Sequence, residues 1–350
     1  AHLNRHYKRW LAGMSVVVVL LTASVGLNRT NDVFNEYFDE TFEVRRVNDF
    51  AMAEMTGMHR IDYAVPSGES GGTMEPAYLQ HLDALMTWLE QQDEVVYATS
   101  YTNVIKRLNR DLHGGDPAYY RIPDSRELIS QYTLLYELSL PQGLGLEDQL
   151  DIDKRQARAI VVLKNIGSKP VLDFNDRVEQ WMQDNWPQAM QTKGTGMDIL
   201  FGRVTMRNIQ SMLSGALIAL VSVSVLLVIA LRSVRYGILS LLPNLLPAAM
   251  AFGLWGLVNG EIGLAVSVVA CMTLGIVVDD TVHFLSKYVR AKRELGLKTE
   301  QAVEYAFRTV GVALVATSVV LVENFAVIGT RHFYPNSSMG QLSAITIAMA

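Results

Sequence analysis

Cysteine is almost missing from this chain: Cys271 is the only one in 350 residues, and it lies inside a long apolar run, so no intrachain disulfide can staple any part of the fold. Seven histidines are present. They are scattered, and neither His113-Gly114-Gly115-Asp116 nor His59, His81 and His332 has the spacing of a metal site. Ser67-Gly68-Glu69-Ser70-Gly71-Gly72 reads as a flexible loop rather than a phosphate cradle. No metal or organic cofactor is expected. Charge is also scarce, at 19% of residues against 50% hydrophobic, and mean hydropathy is +0.17. Since the apolar residues are gathered in blocks, an ordinary soluble domain or soluble enzyme is excluded.

Those blocks have the lengths of membrane spans. Residues 10–27 carry no charge and follow Arg5, His6, Lys8 and Arg9, which suits an anchor with a cytoplasmic N-terminus. The small residues Thr22-Ala23-Ser24 keep a signal peptide open as the alternative. Residues 209–231 are again free of charge, about 34 Å of helix against a hydrocarbon core of roughly 30 Å. A third span, 236–258, holds Pro243-Asn244-Leu245-Leu246-Pro247 and is expected to kink there. Spans at 262–285 and 309–329 follow, and a sixth starts near Met339. Arg232 and Arg235 lie in one connection and Lys287, Arg290, Lys292, Arg293, Lys298 and Arg308 in another, while Asn259-Gly260-Glu261 has no basic residue. The basic loops are cytoplasmic by the positive-inside rule. That run is a solvated or lipid-headgroup face, not a nucleic-acid site.

Alternation then puts residues 28–208 outside the membrane. This stretch has 18 basic and 28 acidic residues, a net charge of −10, and is long enough to bury a core without disulfides. Residues 59–65 alternate like a half-buried strand, and 74–91 place Leu79, Leu82, Leu85, Met86 and Leu89 on one helical side. Residues 95–100 and 156–164 read as strands, 124–138 and 171–186 as helices, and 188–194 as a last strand. The order suits a split β-α-β, ferredoxin-like α+β domain. The expected architecture is thus a first helix (1–27), an extracytoplasmic porter-like domain (28–208) and a transmembrane bundle (209–350).

The chemistry is concentrated in Gly275-Ile276-Val277-Val278-Asp279-Asp280-Thr281-Val282-His283-Phe284, where two carboxylates interrupt a span. A charge at that depth costs about 2.5–3.5 kcal/mol on insertion scales. Such residues mark ion or proton sites by default. Neighbouring helical positions point about 100° apart, so Asp279 and Asp280 must meet different partners. His283 is within one turn of both, either as an inward proton acceptor or as a polar residue at the helix end.

With the Ala316-Thr317-Ser318 segment, the Pro-Asn-Leu-Leu-Pro segment and the Thr195-Gly196-Met197 lead into a span, the stretch 275–288 resembles the C-terminal half of a resistance-nodulation-division (RND) exporter of the hydrophobe-exporter or MMPL-like branch. The resemblance implies proton-driven export of hydrophobic or amphiphilic molecules, such as lipids, sterol- or hopanoid-like compounds or drugs, from the bacterial inner membrane. It also implies a large periplasmic domain and an equivalent N-terminal half beyond this chain, and leaves accessory periplasmic proteins and homo-oligomers open as partners. Protons would be the coupling ion. Thr317 and Ser318 lie about 14–15 Å from the cytoplasmic edge marked by Arg308, level with the aspartates at about 12 Å from Lys287, and would serve as hydroxyl partners in the relay or simply bond their own helix. Glu323 and Asn324 depart from the small residues usual at this point. At about 22 Å deep, Glu323 reads as a second polar station on the proton path, a contact near a substrate entry, or an interface-seeking carboxylate. Two rival readings stay open: a sterol-sensing-like regulator that transports nothing, and a protein-translocation partner of the SecDF kind.

Overall fold

The computed structural model describes residues 7–141 and 146–350, with side chains described from Leu11 onward. Arg5 and His6 therefore lie outside the described residues, as do the side chains of Lys8 and Arg9. In chain order the elements are α1 (Tyr7–Ala23), β1 (Arg29–Thr30), α2 (Glu43–Glu54), β2 (His59–Pro66), α3 (Pro76–Leu89), β3 (Val95–Ser100), α4 (Tyr101–Leu112), α5 (Arg126–Ser139), β4 (Gln156–Leu163), α6 (Ser168–Asn185), α7 (Met197–Leu231), α8 (Val234–Leu239), α9 (Leu241–Val258), β5 (Glu261–Ile262), α10 (Leu264–Arg293), α11 (Thr299–Gly329) and α12 (Tyr334–Met349). They form two compact units, residues 43–204 and residues 1–42 with 205–350.

The unit 43–204 is built on a three-stranded antiparallel sheet in the order β2-β4-β3. Strict alternation drives β2: Ile61, Tyr63 and Val65 are fully buried, while Arg60 and Ala64 face out. Helix α3 starts on Pro76, whose missing N–H costs nothing in the first turn. Its residues Leu79, Leu82, Leu85 and Leu89 are fully buried, the three-to-four spacing of a core stripe. Ser100 and Asn103 cap α4 reciprocally, the Asn103 side chain accepting from the Ser100 N–H at 3.0 Å. Residues 188–194, expected as a last strand, are not one: a 3-10 turn covers Gln188–Met190. Only Thr195 reaches the free edge of β2, where it and Asp62 exchange backbone hydrogen bonds of 2.9 Å.

The other unit is helical. Four helices in it or entering it, Met197–Leu231, Val234–Val258, Leu264–Arg293 and Thr299–Gly329, are long and apolar enough to cross a membrane, and Leu11–Leu27 is a shorter apolar helix. The expected kink falls earlier than Pro243. The chain breaks at Ser240, between α8 and α9, because Pro243 then occupies the first turn of α9, where no backbone donor is required. Helix α10 continues past residue 285, so Arg290, Lys292 and Arg293 stand in its last turn, where cations favour the carbonyl-rich end. Close approach is made by glycine: a Cβ on Gly253 would stand 1.7 Å from the Leu21 carbonyl oxygen of α1, and one on Gly340 of α12 2.5 Å from Gly329 N at the end of α11.

Candidate functional site

The two aspartates of α10 lie on different sides of the helix. Asp279 is exposed on the bundle surface, its side chain 72% accessible, with His283 Nε2 3.5 Å from its Oδ1. Asp280 instead lines a cavity of about 800 Å³ bounded by α9, α10, α11 and α12. Most of the wall is aliphatic, and Phe284 and Phe307, in edge contact at 5.0 Å, form part of it. The polar side chains there are Asp280, Thr281, Ser318 and Glu323. So α10 brings Asp280 and α11 brings Ser318 to the same space.

Thr317 stands apart from them. Its hydroxyl bonds the carbonyls of Ala313 and Leu314 at 3.0 and 2.9 Å, and Asn324 likewise bonds Val320 O at 2.9 Å. Glu323, which the depth estimate separates from the aspartates, nevertheless lines the cavity of Asp280. The reason is that an elongated cavity running along α11 samples positions 307 to 323, several turns of one helix face.

One participant carried no expectation beyond the kink. Asn244 of α9 is buried and accepts a 2.7 Å hydrogen bond from the Thr281 hydroxyl, which also bonds Val277 O. Its amide nitrogen has no hydrogen-bond partner among the described residues. The signal was present in the sequence, since a polar residue between two prolines within an apolar run is itself unusual. The bond ties α9 to the residue next to Asp280.

At the N-terminal end of α10, Asp32 supplies an anchor. It is buried, and its Oδ2 accepts from the Tyr37 hydroxyl at 2.8 Å and from the Leu264 N–H at 3.1 Å, satisfying one of the orphan donors at the helix start. Burial above all, with the Glu261 charge added, holds this carboxyl above the usual aspartate range despite those bonds. Burial and the Asp32 charge push the Tyr37 phenol up as well. The parallel pairing of β1 with β5, Arg29 with Glu261 and Thr30 with Ile262, brings this segment to α10.

In the unit 43–204 the first turn of α7 is fastened to β2. Asp198 accepts from the Arg60 N–H at 2.9 Å and lies 2.8 Å from His59 Nδ1. Gly196 makes the turn at φ +126°, with the Arg60 carbonyl 3.1 Å from where a Cβ would be, a conformation that favours glycine.

Long apolar helices, one of them carrying a carboxylate into an apolar cavity, define a polytopic membrane protein. Residues 63–350 match the model of the MMPL family, and the chain belongs to that family, as the resemblance to RND-type transporters implied. It is also 23% identical over 176 residues to MJ1562 of Methanocaldococcus jannaschii, named as a membrane protein; the match covers 50% of this chain and 44% of that one. The chain thus spans less than half the length of this relative.

Proposed function

We propose that the chain is one half of a proton-driven exporter of hydrophobic or amphiphilic molecules, and that Asp280 carries the coupling proton. The carrying observation is the placement of Asp280, with Ser318 and Glu323, along an open apolar groove between α9, α10, α11 and α12. Ionised, Asp280 needs a hydroxyl, water or cation beside it; neutral, it needs none, and the helices around the cavity repack. Charge crossing the membrane contributes about 2.3 kcal/mol per 100 mV. Asp279, paired with His283 on the other side of α10, tunes the field and faces whatever packs there in the complete protein. Glu323 is a second carboxylate along the same cavity and the last station before the outer side.

Transmission to the unit 43–204 would run through α7, which is one uninterrupted helix from Met197 and is clamped at its start by His59, Arg60 and Asp62 of β2. That unit is read as the extracytoplasmic porter domain. The sheet order β2-β4-β3 is that of three strands in a ferredoxin-like layer, with the Thr195 bridge in the place of the fourth.

The test is substrate efflux from proteoliposomes containing the complete protein under an imposed pH gradient. Asp280→Asn is expected to abolish gradient-driven transport, and Asp279→Asn to weaken it. Full transport in both variants would sink the proton-relay reading and favour a regulator that needs no proton path.

A further inference from the structure

Asn244 and Thr281 share a hydrogen-bond network with one proton too few. The buried Thr281 hydroxyl stands 2.7 Å from Asn244 Oδ1 and 3.1 Å from the Val277 carbonyl oxygen, two acceptors, but it carries a single proton. Only one acceptor is served at a time. At the other corner of the same amide, Asn244 Nδ2 is buried with no hydrogen-bond partner among the described residues, and an unserved buried donor is costly. Turning the amide over serves the hydroxyl fully, since Nδ2 then donates to Thr281 Oγ1 while the Thr281 proton goes to Val277. The amide thus has two arrangements.

Beside it lies a carboxylate with the opposite shortage. Asp280 precedes Thr281 on α10, is half-buried, and receives no hydrogen bond or ion pair among the described residues, the His283 contact going to Asp279 instead. Pro243, which precedes Asn244, lines the same groove as Asp280 and Thr281. A buried donor without an acceptor therefore stands one residue from an acceptor without a donor. The turn of α9 that carries the amide also has one rung fewer to break, because Pro247 inside the helix offers no N–H to the Pro243 carbonyl.

We propose that Asn244 is a positioning residue for Asp280, its amide turned one way for the ionised carboxylate and the other way for the neutral acid. With Asp280 ionised, Oδ1 accepts from Thr281 and the turn of α9 closes on α10 so that Nδ2 donates to the carboxylate. With Asp280 protonated, Nδ2 donates to Thr281. The structure holds the first orientation, short of the carboxylate. A hydrogen bond to the charged form lowers the proton affinity of a carboxylate, so Asn244 keeps Asp280 able to release its proton in apolar surroundings. The charged groups facing Asp280 are Glu323 of α11 in the same groove and, on α10 itself, Asp279 and His283. Helices α9 and α12 carry no charged side chain, and Arg235 of α8 does not line the groove. Both neighbouring carboxylates oppose ionisation, and the amide is the counterweight from α9. The inference rests on the reading of Asp280 as the carboxylate that exchanges protons.

The test is infrared titration of the complete protein in lipid vesicles, with the protonated carboxyl band of Asp280 identified by its loss in Asp280→Asn. Asn244→Leu, or the smaller Asn244→Ala, should raise the midpoint of that band by about one pH unit, a tenfold gain in proton affinity. Thr281→Val frees the amide and should leave the midpoint unchanged or lower. If Asn244 only ties α9 to α10, the Asn244 and Thr281 variants move the midpoint alike, and that result overturns the proposal. So does an unmoved midpoint in an Asn244 variant that elutes at the native volume. In the parent, an asparagine side-chain amide band must shift at the midpoint of the Asp280 band; its absence overturns the proposal with no Asn244 variant needed. Efflux that ignores the pH gradient would sink the exporter reading and leave these spectra unaffected, whereas proton-driven efflux with an unmoved midpoint would sink this inference alone.

Discussion

Asp32 and Asp280 pose the same physical problem at the start and in the middle of one helix, and the chain answers it differently at each. Asp280 looks into a cavity where aliphatic side chains dominate, whereas Asp32 is held by a phenol and a helix N-terminus. Because burial raises Asp32 above its unfolded value, the folded state keeps that proton to higher pH. The stability it contributes is present below the unfolded value, about pH 4, and is lost as pH rises through the folded one. Asn at this position keeps an acceptor for the Leu264 N–H but has no proton to release. Asp32→Asn should therefore gain thermal stability relative to the parent as pH is raised from about 4 to neutrality, in melting curves of detergent-solubilised protein. A parent and variant difference that stays flat with pH would remove Asp32 from the linkage.

At the scale of elements, glycine decides where the first helix sits. Gly253 and Gly256 of α9 lie against α1 and the turn that follows it, with the Leu21 and Ser24 carbonyls at 1.7 and 2.8 Å from the positions of their absent Cβ atoms. Asn28 adds a 2.8 Å hydrogen bond to Phe252 O. Gly253→Ala must push backbone against backbone, and the expected loss is about 1–3 kcal/mol. Gly215→Ala on α7, with open space around it, should be neutral or slightly stabilising. Thermal unfolding of the two variants side by side checks this. Little of it could be read in advance, because a Gly-x-x-Gly spacing in an apolar run marks a close approach but not the partner. The spans themselves were legible from their long apolar runs. Their ends were not, since α10 and α11 extend as helices beyond the apolar runs, and the break at Ser240 follows from the turn geometry around Pro243 rather than from the proline position alone.

Across the whole molecule, two units carry separate cores. In the unit 43–204, Leu85 is fully buried among Leu79, Leu82 and Leu89 of α3 and the residues of β2 and β4. Leu85→Ala should cost about 2–5 kcal/mol. Hydrogen exchange should speed up in β2, β3 and β4 while the α9 and α10 amides keep their protection; uniform loss across both units would mean that they unfold together. The sequence alone determined that the chain has helices apolar enough to cross a membrane, that two carboxylates, Asp279 and Asp280, interrupt one of them, and that Leu79 to Leu89 form a core stripe. Hydrophobic blocks and helical periods are local properties that survive without knowledge of the partner. Only the tertiary structure decided that Asp280 rather than Asp279 faces the cavity, that Glu323 shares it, and that Thr317 bonds its own backbone. Rotation of a helix about its axis depends on every neighbour at once, and no single stretch of sequence records it.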